Sequence, residues 1–208
     1  MDKQKILWIG GSIIALVVVL FGAWKMTTVE KKPEAVNVSV TTNDRVKGPE
    51  KAKNTIVEYS DFQCPSCKAH QPLISELLKK HPKDLKIIYR PFPLVTIHQN
   101  ARISAQVAEA ASLQGKFWEM HDLLFENQED WGEEKKPMKK FESFAKELKL
   151  DMVKFKKDIE SKEVIDKVDG DMQSGNSIGV GATPTFIVNG KKLPQVRSLQ
   201  DFEKEFVK

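Results

Sequence analysis

The two cysteines of the chain, Cys64 and Cys67, stand three residues apart in the sequence C-P-S-C. The residues before them, 55–59 (TIVEY), are mostly β-branched or aromatic and predict a short strand, whereas a helical pattern begins at Pro65. Proline suits the first helical position, because the N–H group that it lacks would have no partner there. A thiol at the start of a helix faces unpaired N–H groups and the positive end of the helix dipole, and both favour the thiolate. The spacing therefore predicts a thiol–disulfide redox centre in which Cys64 attacks and Cys67, one helical turn further on, closes the disulfide.

Two cysteines at this spacing have other uses. A purely structural disulfide would close so short a loop that it would constrain the unfolded chain little. His70 extends the motif to C-x-x-C-x-x-H, but a zinc site needs a fourth ligand and none stands at a usual spacing. Covalent haem attachment needs a histidine directly after the second cysteine, where this chain has Lys68. Redox chemistry of the two cysteines is the favoured interpretation, and no metal or other cofactor is expected.

Residues 57–67 (VEYSDFQCPSC) resemble the active-site region of the DsbA-like thiol–disulfide oxidoreductases, a group with the thioredoxin fold. Further matches follow in the order of that family: 89–94 (YRPFPL), 115–121 (GKFWEMH) and 181–186 (GATPTF). Together the matches cover about residues 49–208, and C-P-S-C is similar to the motif of membrane-anchored members of Gram-positive type. The resemblance implies an α/β protein: a thioredoxin fold with an inserted all-helical domain, preceded by a single N-terminal transmembrane helix.

The resemblance also implies roles for residues outside the cysteine motif. Thr183 and Pro184 match the loop in which a cis proline faces the disulfide and a backbone group pairs with an extended substrate chain. Glu58 stands six residues before Cys64, where thioredoxin-fold enzymes have a buried acid that accepts the proton of the resolving cysteine. A glutamate on a strand can instead point to solvent, because strand side chains alternate between the two faces. The predicted site contains Cys64, Pro65, Ser66, Cys67, Thr183, Pro184 and Glu58.

An apolar run near the N-terminus, residues 6–24, is interrupted by one plainly polar residue, Ser12. As a helix it would be roughly 28 Å long, close to the thickness of the hydrocarbon layer of a bilayer. Trp8 and Trp24 stand near its ends, where aromatic side chains favour the membrane interface. A cleaved signal peptide is the competing interpretation, but no A-x-A cleavage motif follows the run. Residues 1–25 are therefore predicted to be a membrane anchor or an uncleaved signal.

The rest of the chain is predicted to be a tether and one catalytic domain. The polar residues 26–48 lack a sustained period and are predicted to be the tether, or alternatively an extension of the domain edge. Residues 49–208 are the predicted DsbA-like domain, and a helical pattern over about 97–177 is its predicted insertion. The net charge of +4 arises from many charges of both signs, and no basic motif is interleaved with aromatic residues. Nucleic-acid binding is therefore not expected.

These features together predict a single-pass protein of the cell membrane whose catalytic domain lies outside the cytosol, where disulfides persist. It would introduce disulfides into unfolded secreted or surface proteins that carry thiols. The resemblance implies that a quinone-linked membrane oxidase of the DsbB or vitamin-K-epoxide-reductase (VKOR) type reoxidises it. Two alternatives stay open: a membrane-tethered disulfide reductase, and a redox-inactive chaperone that binds extended chains.

Overall fold

The computed structural model describes residues 16–21 and 32–207 of the chain. The chain divides into two units, Met1–Lys32 and Pro33–Lys208. In the first unit, residues 16–21 are helical, and most of the predicted transmembrane run, residues 6–24, lies outside the described residues. None of the helices in the described part of the chain is both long enough and apolar enough to cross a membrane. The second unit contains the sheet and both cysteines.

A mixed sheet of six strands forms the centre of the second unit. Its strands are β1 (Glu34–Ala35), β2 (Arg45–Lys47), β3 (Asn54–Ser60), β4 (Leu85–Pro91), β5 (Thr185–Val188) and β6 (Lys191–Lys192). The order across the sheet is β1-β6-β5-β3-β4-β2. Strands β3 and β4 run parallel, and the other neighbouring pairs run antiparallel. β3 therefore lies inside the sheet, between β4 and β5, and its C-terminal end leads into the cysteine motif.

Both faces of the central strands are covered by other elements. On one face, Ile56 of β3 belongs to a core with Ile74 of helix α1 (Pro65–Lys80). The next residue, Val57, belongs to a separate core on the opposite face with Ile88 of β4. Successive strand side chains point to opposite faces, so each strand serves two cores. This explains why β3 and β4 are rich in consecutive apolar residues rather than alternating with polar ones.

The helical part of the fold lies between β4 and β5. Its helices are α2 (Ala101–Ser112), α3 (Phe117–Glu126), α4 (Gln128–Trp131), α5 (Met138–Glu147), α6 (Met152–Ile159) and α7 (Lys162–Ser177), and α8 (Leu199–Glu203) follows β6. Fully buried aromatic side chains, among them Trp131, Phe141 and Phe155, form a shared core. Phe62 and both cysteines belong to the same cluster. The helices thus lie where the sequence predicted an insertion, and they pack directly against the cysteine motif.

Part of the predicted tether, residues 26–48, belongs to the sheet. β1 pairs with β6, and β2 pairs with β4, so the tether is corrected for residues 34–35 and 45–47, and the alternative, an extension of the domain edge, holds there. Ion pairs fix this segment, because Asp44 contacts Arg90 of β4 and Arg45 contacts Glu109 of α2. These strands are only two or three residues long, and backbone hydrogen bonds and ion pairs hold them in place. So short a strand shows no alternation of apolar and polar residues in the sequence. The pattern of residues 26–48 therefore could not reveal them.

Candidate active site

β3 and α1 bring the two cysteines to the C-terminal edge of the central strands. Cys64 is the N-cap residue of α1, with extended backbone angles of φ −73° and ψ 120°. Pro65 is the first helical residue, as predicted, and Cys67 lies in the first turn. Both cysteines are free thiols, and Cys64 is 7% exposed whereas Cys67 is 0% exposed. Cys64 is thus the sulfur that a second molecule can reach.

The pKa of Cys64 is lowered from 9.0 to about 5. The largest cause is a hydrogen bond from the Cys67 thiol, and burial acts in the opposite direction. The backbone N–H groups of Cys67 and Ser66 lower the pKa further. These two N–H groups belong to the first turn of α1, where the sequence predicted donors that favour the thiolate. At neutral pH, Cys64 is therefore a thiolate, which is the nucleophilic form of cysteine.

The pKa of Cys67 is raised well above its ordinary value, first by burial and then by the hydrogen bond and charge of Cys64 beside it. The backbone N–H of Asp61 opposes this effect, because it donates to Cys67 Sγ at 3.4 Å. One proton is thus shared by the two sulfurs, and it resides on Cys67. The predicted division between an attacking and a resolving cysteine requires this asymmetry, and the roles themselves stay predictions.

Glu58 points into the protein from β3 rather than toward solvent. It is 1% exposed, and burial raises its pKa from 4.5 to about 7. Gln71 of α1 donates to it, with Nε2 3.2 Å from Oε1. Both residues line a cavity of about 600 Å³ between α1 and α3, which is large enough to admit water. The expected burial of Glu58 is confirmed, and its role as a proton acceptor for Cys67 stays a prediction.

The Thr183–Pro184 peptide bond is cis, as predicted. The Cys64 thiol faces the Thr183 carbonyl oxygen, which is 3.5 Å from Sγ. Because β5 runs antiparallel to β3, the loop before β5 lies beside the end of β3, where the cysteine motif begins. Pro65 and Ser66 are exposed next to Cys64. The structure thus brings Cys64, Cys67 and the Thr183–Pro184 loop together at one surface site.

His70, the histidine of the alternative zinc motif, faces two backbone carbonyl oxygens. Its Nδ1 is 2.7 Å from Ser66 O, and its Nε2 is 3.1 Å from Val196 O. A metal ligand needs a free nitrogen lone pair, whereas a nitrogen that faces a carbonyl oxygen is a donor. Within residues 16–21 and 32–207, no cluster of three or more His, Cys, Asp or Glu side chains is suited to hold a metal.

Polar side chains that the sequence pattern did not single out join the cysteine motif to the helical insertion. Gln63 Nε2 donates to Gly132 O at 2.6 Å, and Gln63 Oε1 accepts from Asn100 N at 2.6 Å. Gln128 Nε2 donates to Cys64 O at 3.0 Å. Gln63 could have been noticed as a polar residue directly before the attacking cysteine. Its partners stand 69 and 37 residues away in the sequence, and no local pattern identifies them.

A sequence model described as thioredoxin matches residues 40–206 of the chain. The chain belongs to the thioredoxin family. Two solved structures share the fold of this thioredoxin-family protein. Oxidised BdbD from Bacillus subtilis has a TM-score of 0.72 at 24% identity, over 84% of this chain and 96% of that one. The thiol-disulfide exchange protein alpha-DsbA2 from Wolbachia pipientis has a TM-score of 0.68 at 18% identity, over 78% and 85%. The predicted thioredoxin fold with inserted helices is confirmed, whereas the predicted transmembrane helix lies mostly outside the described residues.

A curated relative of this thioredoxin-family chain is a much longer protein. The chain is 37% identical over 149 residues to the Na(+)/H(+) antiporter NhaA 3 of Salinispora tropica. The match covers 72% of this chain and 22% of the antiporter, so the chain spans about a fifth of the length of that relative. The matching region is one part of a larger protein, and the antiporter's name describes the whole.

Proposed function

We propose that this thioredoxin-family protein is an extracytoplasmic thiol–disulfide oxidoreductase that introduces disulfides into secreted or surface proteins. The observation that carries the proposal is the difference between its two sulfurs. The pKa of Cys64 is lowered to about 5, mainly by the Cys67 thiol, whereas burial raises the pKa of Cys67. A stabilised thiolate at Cys64 favours the reduced pair, and a favoured reduced form makes the disulfide a stronger oxidant. Electrons therefore flow from substrate thiols to the cysteine pair.

The reaction takes two exchange steps. A substrate thiolate attacks Cys64 Sγ of the disulfide, the bond to Cys67 breaks, and its electron pair stays on Cys67 Sγ. A second substrate thiolate then attacks the substrate sulfur of the mixed disulfide, and Cys64 leaves as a thiolate. The substrate loses two electrons, and the enzyme ends as the reduced pair. The low pKa of Cys64 favours the second step, because a thiol of lower pKa leaves faster.

Glu58, the predicted proton acceptor for Cys67 when the disulfide forms, would in the reverse direction supply the proton that Cys67 takes up after the first step. Burial raises the pKa of Cys67, so its thiolate needs a proton source nearby. Burial also raises the pKa of Glu58 to about 7, and the carboxyl group is therefore partly protonated at neutral pH. Glu58 lies on β3, and Asp61 directly after β3 donates its backbone N–H to Cys67 Sγ, so the end of β3 adjoins both groups. The cavity that Glu58 lines would let water return the proton to it.

The surface around Cys64 suits extended chains of unfolded proteins. The Thr183 backbone, whose carbonyl oxygen lies 3.5 Å from Cys64 Sγ, precedes the start of β5 and can pair with an extended peptide. Val95 and Ile97 are 51% and 70% exposed in the loop that follows β4. Leu94 of that loop donates to Asp61 beside the cysteine motif, so the loop is next to the site. Exposed apolar side chains there favour contact with the hydrophobic segments of an unfolded chain.

After each turnover, an oxidant has to remove two electrons from the reduced pair. The proposed partner is a quinone-linked membrane oxidase of the DsbB or VKOR type. A membrane anchor within residues 1–25 would hold the enzyme on the same surface as this partner. The chemistry supports the proposed extracytoplasmic site, because cytosolic reductants keep thiols reduced.

Mixing the oxidised full-length protein with a reduced two-cysteine peptide tests the activity, and mass spectrometry follows the peptide. We expect close to one peptide disulfide for each protein molecule, and none with Cys64→Ser. Cys67→Ser, mixed with a one-cysteine peptide as its disulfide-linked dimer, should form a mixed disulfide, because Cys64 attacks the dimer, one peptide thiolate leaves, and the bound peptide has no second thiol that could release it. Wild-type protein that leaves the peptide reduced would contradict the proposal and favour the chaperone alternative.

Labelling of intact cells tests the location separately. A membrane-impermeant maleimide should modify reduced Cys64 without lysis, because Cys64 is the reachable sulfur. Labelling that occurs only after lysis would contradict an extracytoplasmic site and leave the activity itself unaffected.

A further inference from the structure

Asp61, directly after β3, has a buried carboxylate that accepts three hydrogen bonds. Its Oδ1 accepts from Gln63 N at 2.8 Å. Its Oδ2 accepts from Leu94 N at 2.9 Å and from His98 Nδ1 at 2.7 Å. The side chain is 0% exposed, so these donors replace water around the carboxylate. The Asp61 side chain is thereby fixed both to the cysteine motif and to the loop that follows β4.

The backbone of Asp61 contacts both cysteines. Its N–H donates to Cys67 Sγ at 3.4 Å, and its carbonyl oxygen accepts from Cys64 N at 3.0 Å. A hydrogen bond weakens steeply when the donor turns away from the acceptor. The contacts that fix the Asp61 side chain therefore also fix the direction in which its N–H points.

His98 is the part of this arrangement that reaches the surface, with 16% of its side chain exposed. A carboxylate oxygen can only accept, so His98 Nδ1 is the donor in the bond to Asp61. His98 N donates in turn to Leu94 O at 2.9 Å, and the two residues present their donors to the same Asp61 oxygen. His98 is thus the side chain that joins the loop after β4 to Asp61.

We propose that the Asp61–His98 pair positions the Asp61 N–H so that it stabilises Cys67 as a leaving group. The inference rests on the proposed disulfide exchange and identifies positioning residues for it. When a substrate thiolate attacks Cys64, the disulfide bond breaks and its electron pair stays on Cys67 Sγ. That sulfur is negatively charged in a buried site until a proton reaches it, and burial disfavours the charge. A fixed N–H donor offsets this cost where the charge develops and speeds the opening of the disulfide.

The rate at which a small dithiol reduces the disulfide tests the proposal. Oxidised full-length protein is mixed with excess dithiothreitol, quenched in acid and quantified by mass spectrometry. His98→Leu removes the donor, whereas His98→Asn keeps an N–H donor near the position of Nδ1. His81→Leu is the matched control, because His81 Nε2 also lies 2.7 Å from a carboxylate, that of Glu203, at the opposite end of α1.

We expect His98→Leu to open its disulfide about tenfold more slowly than wild type, and His98→Asn to stay within about threefold of it. His81→Leu should react at the wild-type rate. The alkylation of Cys64 in the reduced proteins should keep its wild-type pH profile, because the groups that stabilise Cys64 do not include His98.

Three results would overturn the proposal: wild-type opening in His98→Leu, equal slowing in His98→Asn, or a parallel loss of Cys64 alkylation. If circular dichroism shows that His98→Leu does not fold, His98→Ala replaces it with the same expectations, because it also removes the ring N–H that donates to Asp61. Wild-type disulfide that does not react with the dithiol at all would overturn the proposed function, and this inference with it.

Discussion

Replacing Glu58 by glutamine should remove a pH-dependent loss of stability from the reduced protein. Burial raises the pKa of Glu58 from 4.5 to about 7, so the unfolded chain releases this proton at lower pH than the folded chain does. The folded state therefore has no penalty from Glu58 below about pH 4.5, loses stability as the pH rises to about 7, and loses no more above that value. This difference in pKa corresponds to about 3 kcal/mol of unfolding free energy.

Urea unfolding of the reduced proteins at half-unit steps from pH 4 to 8.5 measures this effect. The difference in unfolding free energy between Glu58→Gln and wild type should increase by about 3 kcal/mol in favour of the variant across that range. Any cost of the substitution that is independent of pH shifts the whole curve and leaves its shape unchanged. Glu76→Gln is the matched control, because Glu76 is an exposed carboxylate on α1, and it should follow the wild-type curve.

A difference curve that is flat between pH 4.5 and 7 would refute the reasoning, because it would mean that Glu58 titrates alike in the folded and unfolded chains. A curve that decreases with pH would mean that the carboxylate is stabilised by partners rather than destabilised by burial.

Three further predictions concern the thiolate and the packing. The alkylation rate of Cys64 with iodoacetamide should have its midpoint near pH 5, because hydrogen bonds from Cys67 lower its pKa, and a midpoint near the ordinary thiol value of 9.0 would contradict this. Arg90→Met should lower the unfolding free energy by about 3–5 kcal/mol, because it leaves a buried carboxylate without its partner. The control is Arg102, whose ion pair with Asp169 is exposed, and Arg102→Met should lower the unfolding free energy by less than about 1 kcal/mol. Equal losses of unfolding free energy in urea for the two variants would refute the distinction between buried and exposed pairs. Gly175→Ala should destabilise the protein by about 1–3 kcal/mol, because its Cβ would lie 2.7 Å from a buried phenylalanine ring. Gly170→Ala, in the same helix with no atom within 4 Å of the added carbon, should stabilise it by about 0.5–1 kcal/mol, and similar melting temperatures for the two variants would contradict this account.

The cysteine motif could be predicted from the sequence because its structure depends on neighbours in the chain. The apolar run of β3, Pro65 at the first helical position and the cysteine spacing act over a few residues, and the structure has the strand and the helix start as predicted. The position of Thr183 and Pro184 beside Cys64 was implied by resemblance to a family, and no local pattern contains it.

The parts that the sequence did not reveal depend on contacts between distant residues. β2 pairs with β4 and is fixed by Arg45, whose partner Glu109 stands 64 residues away. The hydrogen bond from Cys67 that most lowers the pKa of Cys64 depends on the distance between two sulfurs, which the C-x-x-C spacing alone does not define. Asp61 is inconspicuous in the sequence, and its importance comes from His98, 37 residues further on. Polar contacts of this kind have no periodicity, whereas helices and strands do.

The reduction potential of the Cys64–Cys67 pair tests the central claim most directly. The pKa of Cys64, lowered to about 5 mainly by the Cys67 thiol, lies between the values of about 7 in thioredoxin and about 3.5 in DsbA. The potentials of those proteins are about −270 mV and about −120 mV, and the lowered pKa of Cys64 predicts a potential between them, more oxidising than that of thioredoxin. Equilibration with glutathione buffers, followed by alkylation and mass spectrometry, gives the reduced fraction at each potential. A value clearly above about −270 mV and below about −120 mV is the result expected of an oxidase driven by a stabilised thiolate. A value near −270 mV would contradict it and favour the membrane-tethered reductase.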